Sequence, residues 1–85
     1  MSESYELFKT DICPFCGMVK RFLDAKGVEL PMRDTMRDPQ AHEELVAGGG
    51  RATVPCLKIT DESGAVRWMH ETMDIMRYLD GKLAS

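Results

Sequence analysis

Residues 5–33, "YELFKTDICPFCGMVKRFLDAKGVELPMR", change their periodicity twice, and this restricts the possible folds more than any other feature. The first six, "YELFKT", alternate and read as a short strand. From Pro14 to about residue 26, Phe15, Met18, Val19, Phe22 and Leu23 recur at spacings of three and four, which marks a helix. Pro14 suits its first position, where the missing N–H would have had no partner. Gly27 suits the C-terminal cap, and Lys26 meets the negative end of the helix dipole. Residues 28–33, "VELPMR", read as a second strand, which Pro31 assigns to a sheet edge or a bulge. Two strands joined through a helix run parallel and require a right-handed crossover.

The remaining chain continues the alternation. "DPQAHEELVA", 38–47, is a predicted helix with Asp38 as N-cap and Pro39 at the first position, ended by "GGGR". "CLKIT", 56–60, and "AVRWM", 65–69, flank "DESG" as a hairpin. The last segment, 71–83, is helical, with Met73, Ile75, Met76 and Leu79 expected on one buried side. The order β-α-β-α-β-β-α predicts an α/β fold with a four-stranded mixed sheet and helices on both faces. With no repeat, linker or low-complexity tract, a single domain is expected to cover residues 1–85.

Composition narrows the function classes. Hydrophobic residues at 44% and charged residues at 29% fit a globular chain rather than a disordered one. A net charge of −3 offers no basic face for nucleic acid. No apolar run approaches the roughly 20 residues that a membrane span needs. "MSESYELF" lacks the order of a secretory signal, so a cytoplasmic location without a membrane partner is expected. Nothing in the sequence calls for a second copy, and a monomer is expected. The cysteines, Cys13, Cys16 and Cys56, are odd in number, which suits a reducing compartment with one working pair and one further thiol.

The pair in "CPFC", 13–16, carries the chemistry. A thiolate is the nucleophile, and an ordinary cysteine is mostly protonated at neutral pH. Cys13 precedes a predicted helix, whose unpaired N–H groups and positive dipole end stabilise an anion, so a lowered pKa is expected there. Cys16, one turn on and more buried, is positioned to attack a mixed disulfide on Cys13. Such spacing alone is also read as half of a metal site. Zinc, however, needs about four ligands. No second pair is present, and Cys56, His42 and His70 do not fall at finger spacing. No metal is therefore expected. Cys56 reads as a small buried strand residue, and Trp68 and the methionines as packing. "GGG" at 48–50 is not a phosphate loop, since no Lys-Ser/Thr follows.

Together, "CPFC" at 13–16, "TVP" at 53–55 and "ETMDIMRYLD" at 71–80 resemble the glutaredoxins, within the thioredoxin fold. The terminal piece is similar to the end of glutathione S-transferase N-terminal domains. The resemblance implies a cis Pro55 facing the cysteines, with Val54 turning its N–H and C=O toward the cysteinyl part of glutathione. It implies that Glu71 and Thr72 grip the γ-glutamyl end, with Asp74 as the weaker alternative. Phe15 stands where tyrosine is commonest and keeps the aromatic surface. Many family members carry a basic residue three positions before the first cysteine. Here that position is Thr10, so Lys9 is the candidate for the glycine carboxylate, ahead of Arg37, His42 and Arg51. The implied function is glutathione-dependent thiol–disulfide oxidoreduction, with glutathione as co-substrate and glutathionylated or disulfide-bonded proteins as partners. An iron–sulfur carrier using Cys13 and glutathione is the alternative. A transferase is the least expected, because a cleft for a second substrate needs more chain.

Overall fold

The computed structural model describes residues 3–83. The elements are β1 (Ser4–Lys9), α1 (Pro14–Lys26), β2 (Met32–Asp34), α2 (Pro39–Gly49), β3 (Cys56–Thr60), β4 (Val66–Met69) and α3 (Thr72–Leu83), in the predicted order. The strands form one mixed sheet, β2-β1-β3-β4. β1 runs parallel to β2, with Leu7 opposite Met32. It runs antiparallel to β3, pairing Leu7 with Leu57 and Phe8 with Cys56. β3 and β4 form the hairpin.

Strand alternation divides the core in two. Leu7, Leu57 and Ile59 face α1 and α3, where they meet Val19, Leu23, Ile75 and Leu79. Phe8 and Cys56 face the other way, against Ala41 and Leu45 of α2. The sheet is therefore covered on both faces, as the alternating pattern predicts. Around the second cluster sits a ring of half-buried charges. Lys58 donates to Glu44 at 2.6 Å, and Arg33 reaches Glu44 at 3.2 Å and Glu6 at 3.4 Å. The Lys58 ammonium is the main reason that the Glu44 carboxyl is held below its ordinary value.

Local signals account for the helix ends. Cys13 and Asp38 are the N-caps, each followed by proline, and Gly27 and Gly50 end α1 and α2 with left-handed φ of 70° and 83°. Three segments depart from the sequence reading. α2 runs two residues past Ala47, through Gly48 and Gly49, before Gly50 ends it. β2 begins only at Met32, so Val28 and Leu30 are not strand residues and instead pack, partly buried, against the core. Pro31 immediately precedes this edge strand and accepts the Leu7 amide at 3.0 Å. Met73 does not join Ile75 and Leu79 inside: it is 57% exposed, because it lies two residues before Ile75 and so points off the buried stripe.

The glycines at 48–50 have three separate roles. A Cβ on Gly48 would lie 2.4 Å from the Trp68 ring, and one on Gly49 would lie 3.2 Å from His70 Nε2. Gly50 supplies the left-handed cap. Alanine at position 48 gains about 1 kcal/mol of helix propensity but forces a rigid indole aside, and such overpacking costs about 1–3 kcal/mol. Gly48→Ala is therefore expected to lower the unfolding midpoint. Gly81→Ala, in α3 with nothing within 4 Å of the new Cβ, is expected to raise it. Thermal unfolding of the two variants beside wild type checks both signs.

Candidate functional site

Cys13 caps α1 in an extended conformation (φ −90°, ψ 114°), and its Sγ accepts the Cys16 amide at 3.2 Å. The first turn thus donates directly to the sulfur, which is how a helix start stabilises an anion. Cys13 is partly exposed, whereas Cys16 is 4% exposed and Cys56 is fully buried. Burial first, and the hydrogen bond with Cys13 second, push the Cys16 thiol up to about 12. Burial likewise pushes Cys56 up to about 11. Cys16 is thus the more buried member of the pair, as the sequence reading expects.

A loop 41 residues further on completes the sulfur's surroundings. The Val54–Pro55 peptide is cis, as the resemblance implies. The Cys13 thiol points its S–H at the Val54 carbonyl across 3.7 Å. This closeness follows from register: Phe8, near the end of β1, lies opposite Cys56, so the chain just before β3 abuts the loop that leads to α1.

Phe15, Met18, Glu71, Thr72 and Met73 line a groove of about 340 Å³ between the starts of α1 and α3. Three of the predicted site residues therefore come together there. Phe15 is 57% exposed and walls the groove rather than filling the core. The Glu71 carbonyl accepts the Ile75 amide at 2.8 Å, so Glu71 opens α3 with its backbone while its side chain stays exposed. Asp74 is paired with Arg77 at 3.4 Å.

Lys9 is held elsewhere. It lines a smaller cavity of about 130 Å³ with Cys13, Cys16, Thr10 and Asp11. Its ammonium donates to Asp11 at 2.7 Å and sits 3.6 Å from Asp34. The Asp11 contact is the main reason that Lys9 is raised, and reciprocally that Asp11 is lowered. Arg37 joins this cluster through Asp11 at 3.1 Å. The sequence reading missed Asp11 as the partner of Lys9, although the spacing of two residues was available. His42 and Arg51 are exposed. Among the described residues, no group of three or more His, Cys, Asp or Glu side chains is arranged to hold a metal ion. Nor is any helix there long and apolar enough to cross a membrane.

Residues 6–63 match the family model for glutaredoxin. The chain belongs to the glutaredoxin family. It is 32% identical to Glutaredoxin 3 of Escherichia coli (strain K12) over 54 residues, which cover 64% of this chain and 65% of that relative. Solved structures agree on a thioredoxin-like fold. A thioredoxin-like protein superimposes with a TM-score of 0.65 at 22% identity, covering 87% of this chain and 97% of its own. Maleylacetoacetate isomerase from Anaeromyxobacter dehalogenans, solved with bound GSH, superimposes with a TM-score of 0.71 at 23% identity. That match covers 99% of this chain but only 39% of the isomerase. The glutaredoxin match ends at residue 63, before Glu71 and Thr72, whereas the isomerase match takes in nearly the whole chain.

The burial difference makes a simple prediction for the reduced protein. At pH 8 iodoacetamide is expected to alkylate Cys13 alone, because only its sulfur is accessible. Cys16 and Cys56 should react only after unfolding, as peptide mass spectrometry would show. Both buried thiols are raised by folding, so their contribution to stability is full below the ordinary value of 9.0 and declines as pH rises toward about 11 and 12. Urea midpoints measured at pH 8 and pH 10.5 should fall, and fall less in Cys56→Ala relative to that variant's own pH 8 value.

Proposed function

We propose that this chain is a glutathione-dependent thiol–disulfide oxidoreductase, with Cys13 as nucleophile and Cys16 as resolving thiol. The observation that carries the reading is the surroundings of Cys13 Sγ: an amide of the first turn of α1 at 3.2 Å, and the Val54 carbonyl before a cis proline at 3.7 Å. Cys13 is partly exposed, so a disulfide can approach its sulfur.

The steps follow from thiol–disulfide exchange. Cys13 thiolate attacks one sulfur of a glutathionylated protein. The protein thiolate leaves, and Cys13 retains the glutathionyl group. A second glutathione, as thiolate, then attacks the glutathionyl sulfur and releases oxidised glutathione and free Cys13. With a protein disulfide, Cys16 can instead attack the mixed disulfide and close a Cys13–Cys16 bond, which two glutathione molecules reduce. Cys16 must first lose its proton. Part of what holds that proton is the hydrogen bond and charge of Cys13, and both disappear once Cys13 is in a mixed disulfide.

Glutathione suits the groove. Its cysteinyl backbone can lie along Val54 as an added strand would. Its γ-glutamyl end then reaches the start of α3, where Thr72 offers amide and hydroxyl donors to the carboxylate and Glu71 an acceptor to the ammonium. Phe15 supplies an apolar wall. Lys9 is our candidate for the glycine carboxylate, with Asp11 and Asp34 as the groups it must leave or share.

Reduction of a glutathione mixed disulfide, coupled to glutathione reductase, tests the assignment. Cys13→Ser is expected to fall to background, and Cys16→Ser to retain turnover. Equal loss in both variants would instead require an obligatory dithiol route. Glu71→Gln should raise the KM for glutathione about tenfold, the ~1.5 kcal/mol of one charge-assisted hydrogen bond, and leave kcat within about twofold.

A further inference from the structure

One side chain near the groove is absorbed neither by the core nor by the cysteine chemistry. His70 lies between β4 and α3, immediately before Glu71. Its Nε2 is 3.0 Å from the Gly49 carbonyl, at the end of α2. Its Nδ1 is 3.1 Å from Thr53 Oγ1, next to Val54. A carbonyl oxygen can only accept, so Nε2 carries a proton, and in the neutral ring Nδ1 then accepts from the Thr53 hydroxyl. Gly49 is what permits the ring to sit so close, since a Cβ there would be 3.2 Å from Nε2. Cys56 Sγ, 3.8 Å from the same nitrogen, closes the far side.

These contacts join segments that are distant in the chain. Through Thr53, the ring braces the edge that presents Val54 and cis Pro55. Through its own backbone, the residue leads into Glu71 and Thr72. We infer that His70 is a positioning residue that sets the spacing between the two halves of the glutathione cradle: the Val54 edge and the Glu71–Thr72 corner. This rests on the proposed function. It adds a group that touches neither sulfur and is expected to touch no part of the ligand. Its effect is therefore expected in the affinity for glutathione rather than in the chemical step.

The test compares His70→Phe, His70→Asn and Thr53→Val in the glutathione mixed-disulfide assay, with Val54 amide hydrogen exchange followed by NMR. Phenylalanine keeps the bulk but neither nitrogen. Asparagine keeps an acceptor near the Nδ1 position and loses the Nε2 donor. His70→Phe and Thr53→Val are each expected to raise the KM for glutathione about fivefold, as for the loss of one neutral hydrogen bond, with kcat within about twofold. Both should speed Val54 exchange. His70→Asn should stay within about twofold of wild type, and the Phe/Val double variant should be no worse than the worse single. An unmoved KM in His70→Phe, an asparagine variant as impaired as phenylalanine, or additive losses in the double variant would overturn the role. Should His70→Phe not fold, His70→Asn and Thr53→Val decide: a wild-type-like asparagine beside an impaired valine supports it, and the reverse overturns it. A wild type with no glutathione-dependent turnover overturns the proposed function and this role together. An active wild type with unmoved variants overturns this role alone.

Discussion

The antiparallel register of β1 on β3 sets where every part of the site falls. Leu7 opposite Leu57 buries one apolar pair toward α1 and α3, and Phe8 opposite Cys56 buries the next toward α2. A slip of one residue would exchange those faces and set each apolar side chain against the wrong helices. Because both faces are covered, the register is held from two sides. The same register brings the loop before Cys56 beside the loop after Lys9, and so brings the Val54 carbonyl to Cys13. The reactive sulfur owes its neighbours to hydrophobic contacts that touch neither cysteine.

The difference between Cys13 and Cys16 has a related origin. Cys16, Val19 and Leu23 form the buried stripe of α1, whereas Cys13 is its cap. A helix anchored by that stripe holds its first turn just past the end of β1, where the cap residue remains partly exposed. Desolvation then acts on Cys16. The two thiols are three residues apart, yet one is buried and the other is partly exposed.

Charge pairs are arranged around this apolar frame rather than within it. Glu6, Arg33, Glu44 and Lys58 cover the edge of the α2 face, where a partly wet setting suits them better than the core would. Lys9, Asp11, Asp34 and Arg37 form a second, formally neutral group beside the cysteines. An anionic ligand arriving there would meet cations that already have partners. Its gain would be a difference between two sets of ion pairs, not the full attraction of a free ammonium.

Much of the frame was legible in the residues themselves. Pro14 and Pro39 after their caps, Gly27 as the cap of α1, and the apolar spacing along α1 each report on backbone within one turn, and each was found where expected. So was the order of elements, and with it the mixed sheet, since a strand–helix–strand unit followed by a hairpin has few packings. The run of glycines does end α2, but two residues later than the sequence reading places it. The cis Pro55 came from resemblance, not from any local rule. What the residues alone did not reveal were partners across the chain: Asp34 beside Lys9, His70 between Gly49 and Thr53, Trp68 against Gly48, and the groove that Met73 walls with Phe15. Such contacts arise only when strands settle into register and helices dock. Their energies depend on distances between atoms tens of residues apart, and sequence spacing carries no information about those distances until the core has closed.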